Sequence, residues 1–383
     1  MKIKILAFVV TAFVITTLFV QNLFAQKKLP IIKANSVEVD IRDDNVLRKN
    51  VWIISPEEKL DVYTTSAKKV TFITDLDSIT FKINPKPGTY DFIILLNGKD
   101  SARTQIKFQP TKLAVLKGAE KYNNSDKRFI PEFTYQSQDN PNLIRIRQEL
   151  KLDSIAGKSG DELAQIFNLL HWVHNQIKHD GNSNNPTSKN AIDLIKVCKI
   201  ENRGVNCRML ATILNECYLS MGIKSRIITC MPKETKFDDC HVINMVYSRD
   251  LNKWIWIDPT NAAYVMDENG NMLGIQEVRE RLIKGKPLIL NADANWNRLD
   301  IQTKEHYLEY YMAKNLYRLE CPLSSEYNAE TAVNGKEITY VELLPLDGIE
   351  QTPQMKESTF QETGVKFINY KTNNPNLFWV KPK

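Results

Sequence analysis

The chain is poor in the features that mark several large protein classes. Its 14 glycines and 16 prolines among 383 residues form no tract, which excludes collagen-like and low-complexity architectures. Lysine and arginine exceed aspartate and glutamate by only 51 to 45, and the basic residues are scattered, so nucleic acid is not expected as a partner. There is no HExxH, no paired CxxC and no EF-hand-like loop, so no metal is expected, calcium included. No internal repeat is evident. Beyond the first 25 residues, no stretch is apolar for long enough to span a membrane. No cysteine precedes residue 198, so the six thiols, at 198, 207, 217, 230, 240 and 321, all lie beyond the midpoint.

What is present begins with Met1 to Ala25: two lysines, an apolar run from Ile5 to Val20, and a small residue at Ala25. This is the layout of a secretory signal peptide (residues 1–25), with an uncleaved anchor as the alternative. No cysteine stands near the expected cut, which argues against a lipoprotein. Cleavage removes Lys2 and Lys4 and takes the formal charge from +6 to +4. A periplasmic or extracellular location follows, where disulfides are permitted.

Residues 34–113 alternate with a period near two, as in Val70–Thr74, Ser78–Ile83, Tyr90–Leu96 and Ala102–Phe108. Turn signals separate these runs, Asn97-Gly98 being the strongest, so the region predicts an antiparallel β-sandwich-like domain. It carries no histidine or cysteine and reads as an accessory domain.

After about residue 115 the period becomes helical. Helices are predicted over Asp161–His179, Ala191–Val197 and Val205–Met221, the last stopped by Gly222. Strand-like segments follow at Arg226–Cys230, His241–Tyr247 and Trp254–Asp258, then helices over Gln276–Lys284 and Lys304–Leu319. Residues 321–383 contain further strand-like pieces with no clear neighbour.

A thiol nucleophile needs a base beside it and a third group to orient that base. Cys207, His241 and Asp258 occur in that order. Cys207 opens a helix, where the unpaired amides and positive dipole end favour a thiolate. If the two strands carrying His241 and Asp258 form a hairpin, residues 241 and 258 lie side by side. Cys207 read alone is a small core residue, and Asp238 and Asp239 compete with Asp258 for the imidazole. His171, His174, His179 and His306 read as core or surface histidines. Of the five other thiols, Cys217 reads as core packing, and Cys230 and Cys240 flank a loop they could bridge.

Four blocks, Gly204-Val-Asn-Cys-Arg-Met-Leu-Ala211, Met221-Gly-Ile-Lys-Ser-Arg226, His241-Val-Ile-Asn-Met-Val-Tyr247 and Lys253-Trp-Ile-Trp-Ile-Asp-Pro-Thr260, resemble the transglutaminase-like superfamily of papain-type folds over residues 160–290. The resemblance implies an α+β fold: a papain/transglutaminase-like catalytic domain at 116–320 preceded by the β-domain. It implies Cys207 as nucleophile, His241 as general base and acid, and Asp258 as the orienting group, with no cofactor. The implied reaction is acyl transfer through a thioester, giving amide or peptide hydrolysis with water as acceptor. The alternatives are protein cross-linking with an amine acceptor, or a non-catalytic binding or surface-assembly module that retains the triad. Expected substrates are proteins, glycopeptides or cell-wall peptides. Two departures stand out: Ile243 where relatives often have Trp, and no aromatic residue in the Asp180–Asn190 loop, where the cross-linking enzymes have a Trp that holds the oxyanion. Asn182 and Asn184 are the candidate replacements.

Overall fold

The computed structural model describes residues 28–56, 60–157, 160–237 and 239–383. The proposed signal segment and Asp238 lie outside the described residues. The described chain forms two compact units that divide between Pro110 and Thr111.

The first unit is two four-stranded sheets sharing one core. One sheet has the order β3 (Val46–Ile53), β2 (Glu38–Asp43), β5 (Lys69–Ile73), β6 (Ser78–Lys82) and is antiparallel throughout. The other has the order β1 (Ile31–Ala34), β7 (Thr89–Leu96), β8 (Asp100–Phe108), β4 (Asp61–Thr65). Here β7 and β8 form the hairpin turned by Asn97 and Gly98, both at positive φ, whereas β1 and β4 run parallel to their neighbours. The outer strands therefore depart from a purely antiparallel sandwich. Ile41, Phe72, Phe92, Ile94 and Ile106 are fully buried between the sheets, as the two-residue alternation requires.

The second unit opens with α1 (Lys112–Lys117), the short strand β9 (Thr134–Tyr135), and helices α2 (Pro141–Glu149), α3 (Leu152–Ala156), α4 (Glu162–Gln176), α5 (Ala191–Glu201) and α6 (Cys207–Ser220). Its antiparallel core is β10 (Ser225–Met231), β11 (His241–Ser248) and β12 (Lys253–Ile257). Next come β13 (Val265–Met266), α7 (Ile275–Lys284), β14 (Ile289–Leu290), and the hairpin β15 (Asn295–Trp296) and β16 (Asp300–Ile301). A π-helix (Glu305–Met312) continues into α8 (Ala313–Asn315). The chain ends with β17 (Arg318–Pro322), β18 (Ser324–Ser325), β19 (Glu337–Leu343), β20 (Met355–Phe360), β21 (Val365–Thr372) and α9 (Pro375–Phe378).

Seven strands make one sheet in the order β12-β11-β10-β17-β19-β21-β20. The C-terminal strands, unassigned by periodicity, thus extend the same sheet, and a boundary at 320/321 would cut β17. The helix expected over Lys304–Leu319 stops earlier, because Leu319 is laddered to Cys230 of β10. Side chains alternate across the sheet. Ile228, Met245 and Trp256 join a core with α7 and the π-helix, while Val246, Ile255 and Ile257 join another with α2 to α6.

Helix α6 is buried all round from Met209 to Ser220, between the sheet and its neighbouring helices. Its polar residues are hydrogen-bonded: Asn215 donates to Ser325 Oγ (2.9 Å), and Glu216 accepts from the amides of Ala191 and Asn328 (2.7 Å each). An unpaired polar group there would cost about 1–3 kcal/mol, so these bonds fix the helix against the sheet. Among the described residues no helix is long and apolar enough to cross a membrane.

Candidate active site

Asn206 caps α6 through its side chain, which accepts from Met209 N (3.1 Å), and so sets Cys207 as the first helical residue. The Cys207 amide is among those the helix leaves without an internal partner. Just upstream, Gly204 meets the segment Lys178–Asp180. A Cβ on Gly204 would stand 2.5 Å from the Lys178 carbonyl, so only glycine allows this approach. Val205 then bonds both ways with the segment, to Lys178 O (3.1 Å) and from Asp180 N (2.8 Å). The residue held beside Cys207 by that pairing is His179.

The hairpin β15–β16 reaches back to clamp His179. Asn297 takes the His179 amide on Oδ1 (2.7 Å) and donates to the His179 carbonyl (3.0 Å), and Trp296 Nε1 donates to His179 Nδ1 (3.1 Å). With Nδ1 accepting, the neutral ring carries its proton on Nε2, the nitrogen left for Cys207, to which the His179 side chain hydrogen-bonds.

His241 and Asp258 come from adjacent strands, but not as directly opposed residues. The ladder pairs Asn244 with Ile257 and Val246 with Ile255, so Asp258 stands level with Ile243, two residues short of His241. That diagonal is within side-chain reach. Asp258 Oδ2 meets His241 Nε2 at 2.8 Å, and both groups are buried. Asp258 is held in turn by Thr260 N on Oδ1 (2.8 Å), and on Oδ2 by Asn261 Nδ2 (3.0 Å) and Tyr307 Oη (2.6 Å). Trp256 Nε1 donates to Tyr307 Oη (3.1 Å), which turns the tyrosine proton onto the carboxylate. Tyr311, four residues further along the π-helix, packs edge-on against the His241 ring at 5.2 Å.

These contacts fix the charge state. Burial opposes ionisation of Cys207, but hydrogen bonds from His179 and His241, the His241 charge and the Val242 amide outweigh it and bring the thiol down to about 6. Burial likewise opposes charge on His241; the Asp258 carboxylate and the hydrogen bonds to Asp258 and Cys207 override it and hold the imidazole well above its usual value. Asp258 stays below the usual carboxylate range, because His241, Tyr307 and Asn261 outweigh its burial. The resting pair is therefore a thiolate facing an imidazolium, an arrangement that can attack a carbonyl carbon and then deliver a proton.

The structure brings Cys207, His241 and Asp258 together. Asp239 instead pairs with Lys314. All six cysteines are free thiols, including Cys230 and Cys240, which leave their loop unbridged. Cys207 and Cys240 are partly exposed and the other four are buried. Burial, then the neighbouring Cys207, pushes Cys240 up, which separates the two accessible thiols chemically.

Asn182 and Asn184 are exposed, and the hydrogen-bond partners of Cys207 are His179, His241 and the Val242 amide. Sequence reasoning assigned His179 to core or surface packing and passed over Tyr307 and Tyr311. The available signals were the position of His179 just past the end of α4 and the four-residue tyrosine spacing. His174 ties the site together from behind, with Nδ1 at 3.0 Å from Pro259 O and Nε2 at 3.0 Å from Asn295 Oδ1. Among the described residues no group of histidine, cysteine and acid side chains could hold a metal ion.

Residues 151–259 match the profile of the transglutaminase-like superfamily. No curated protein matches the chain. Among solved structures, a protein proposed as a cysteine protease from Cytophaga hutchinsonii is 21% identical over 34% of this chain and 40% of its own, with a TM-score of 0.25. Red sea bream transglutaminase is 13% identical over 61% of this chain and 49% of its own, with a TM-score of 0.22. The chain thus spans less than half of either. Residues 151–259 are a domain of the transglutaminase-like superfamily.

Proposed function

We propose that the chain is a cysteine-dependent amidase or peptidase that works through a thioester on Cys207. The observation that carries this reading is the geometry: the His241 side chain hydrogen-bonds to Cys207 at the start of α6 and is anchored on Asp258 at 2.8 Å. The Cys207 thiolate attacks the amide carbonyl, forming the C–S bond, and the carbonyl π electrons move to oxygen. His241 gives its proton to the leaving nitrogen as the C–N bond breaks, leaving an acyl thioester. A water then attacks while His241 takes its proton. Collapse releases the carboxylic acid product and restores the thiolate. The Cys207 amide and His179 Nε2–H are the donors for the oxyanion, and Trp296 fixes the histidine tautomer that makes the second one possible.

Residues 1–25 read as an export signal, so we place the mature enzyme outside the cytoplasm. The test is turnover of a peptide-amide library by wild type and Cys207→Ala, with acid-quenched samples analysed for acyl mass on the Cys207 peptide. Acyl mass in wild type and no turnover in the variant are expected. Wild-type turnover by both Cys207→Ala and Cys207→Ser would overturn the assignment.

A further inference from the structure

The same face of the sheet that packs on α6 carries a polar group that the acyl chemistry leaves unused. Arg208, next after the nucleophile, donates to Thr229 Oγ1 (2.7 Å) and to Glu330 Oε1 (2.5 Å). Thr229 of β10 is laddered on one side to Val242, whose amide meets Cys207, and on the other to Glu320 of β17. The next strand places Glu342 opposite Glu320, and Glu342 is neutralised by Arg318 (2.7 Å).

Arg208 is thus matched by Glu330, and Arg318 by Glu342. The Glu320 carboxylate accepts no hydrogen bond and makes no ion pair among the described residues. Burial raises it, Arg208 and Arg318 draw it down, and Glu342 and Glu330 push it up, which together leave it at about 7. It lines a cavity of about 520 Å³ together with Lys189, Arg208, Glu330, Tyr340, Phe360 and Phe367, so that two carboxylates and two cations face the space, and Lys189 forms no ion pair with Glu320. This cavity begins at the residue after the nucleophile and continues over β17, β19, β21 and β20, where its lining turns aromatic. With neighbouring strands ~4.8 Å apart, Glu320 lies roughly 10 Å along the row from Val242. An extended peptide covers ~3.3–3.6 Å per residue, so one to two residues, or a lysine side chain, cross this gap from an acyl carbon at Cys207 when the Glu320 side chain covers the remaining few ångströms.

We propose that this cavity is a substrate subsite in which Glu320 receives a primary ammonium close to the scissile acyl group, while Tyr340, Phe360 and Phe367 hold an apolar neighbour. The proposal rests on Cys207 being the nucleophile. An amine paired with a carboxylate stays protonated and cannot attack the thioester, so the site recognises substrate and does not supply an acceptor.

Four chloromethyl ketones test this, each losing chloride as Cys207 sulfur bonds to its methylene. They are N-acetyl-lysine (side-chain ammonium), Ala-Ala (α-ammonium), N-acetyl-Ala-Ala (neutral) and N-acetyl-glutamate (anionic). Iodoacetamide, neutral and too short to reach Glu320, normalises thiol reactivity in each variant. The expected result is that at least one ammonium probe labels Cys207 ten-fold or more faster than the neutral one, with that preference lost in Glu320→Gln. The faster of the two ammonium probes identifies its source. Equal rates for charged and neutral probes, a preference that survives Glu320→Gln, or fastest labelling by the anionic probe would overturn the subsite.

If iodoacetamide at pH 5 labels Cys207 no faster than a free model thiol, the nucleophile is what fails. The subsite is then decided separately, by NMR-detected binding of lysine amide to Cys207→Ala. Binding is expected there and not in Cys207→Ala/Glu320→Gln; equal binding, or none in either, rejects the subsite.

Discussion

The charge state of Cys207 makes a prediction whose size depends on pH. A free cysteine with a pKa of about 8.5 is ~3% thiolate at pH 7 and ~0.03% at pH 5. A thiol held at about 6 is ~90% thiolate at pH 7 and ~10% at pH 5. The advantage in thiolate is therefore about 30-fold at pH 7 and about 300-fold at pH 5. A more acidic thiolate is also a weaker nucleophile: a Brønsted slope of 0.4–0.5 between 8.5 and 6 takes back roughly 13-fold. The net advantage over a free thiol is only ~2-fold at pH 7 but ~20-fold at pH 5. Labelling at neutral pH alone would miss most of the effect.

The assay is the iodoacetamide labelling rate of the Cys207 peptide by mass spectrometry from pH 4.5 to 9, against a model thiol. Labelling should rise with pH through a midpoint near 6. In His241→Ala the thiol loses a hydrogen bond and a neighbouring positive charge and keeps its burial, so the midpoint should move upward. Turnover should show a second limb that labelling lacks. It needs the His241 proton for the leaving nitrogen, so kcat/KM should fall once pH exceeds the raised imidazole value. A wild-type midpoint near 8.5, or an unchanged profile in His241→Ala, would refute the ion-pair reasoning.

Two further substitutions separate the supporting residues. His179→Ala removes the proposed oxyanion donor and a hydrogen bond to the thiolate. We expect kcat to fall about 10²- to 10³-fold with little change in KM, and the alkylation midpoint to rise; kcat within threefold of wild type would reject the role. Tyr307→Phe removes the 2.6 Å bond to Asp258 and leaves Trp256 Nε1 without its acceptor. The loss should lower the unfolding free energy by about 2–4 kcal/mol in urea titrations and reduce kcat less than His179→Ala does; an unchanged urea midpoint would show that Tyr307 does not brace the carboxylate.

Local signals made much of the second unit legible. Apolar spacing marks α4 to α6 and β10 to β12 to within a few residues, and the order of thiol, imidazole and carboxylate follows from the ends of those elements. Partners supplied by distant segments carry no such signal. Nothing in the period of Asn295–Ile301 says that its turn closes on His179, more than 110 residues earlier. The π-helix reads as an ordinary amphipathic helix, because periodicity cannot show that Tyr307 and Tyr311 face a carboxylate and an imidazole. The offset between His241 and Asp258 is a matter of ladder register, which depends on where the connecting turn falls and not on alternation alone.

The position of these partners also explains how the site is divided along the chain. The superfamily match ends at Pro259 and contains the thiol, the imidazole and the carboxylate. Trp296, Asn297, Tyr307, Tyr311 and Glu320 all lie beyond it. One hairpin touches both halves of the site: Trp296 and Asn297 hold His179 on the thiol side, while Asn295 contacts His174, which meets the Pro259 carbonyl beside Asp258, and bonds through its amide to Asn261 O (2.8 Å). A shift of that hairpin would move the proposed oxyanion donor and the Asp258 turn together. The matched segment thus supplies the thiol, imidazole and carboxylate, and residues after it hold the His179 tautomer and brace the Asp258 carboxylate.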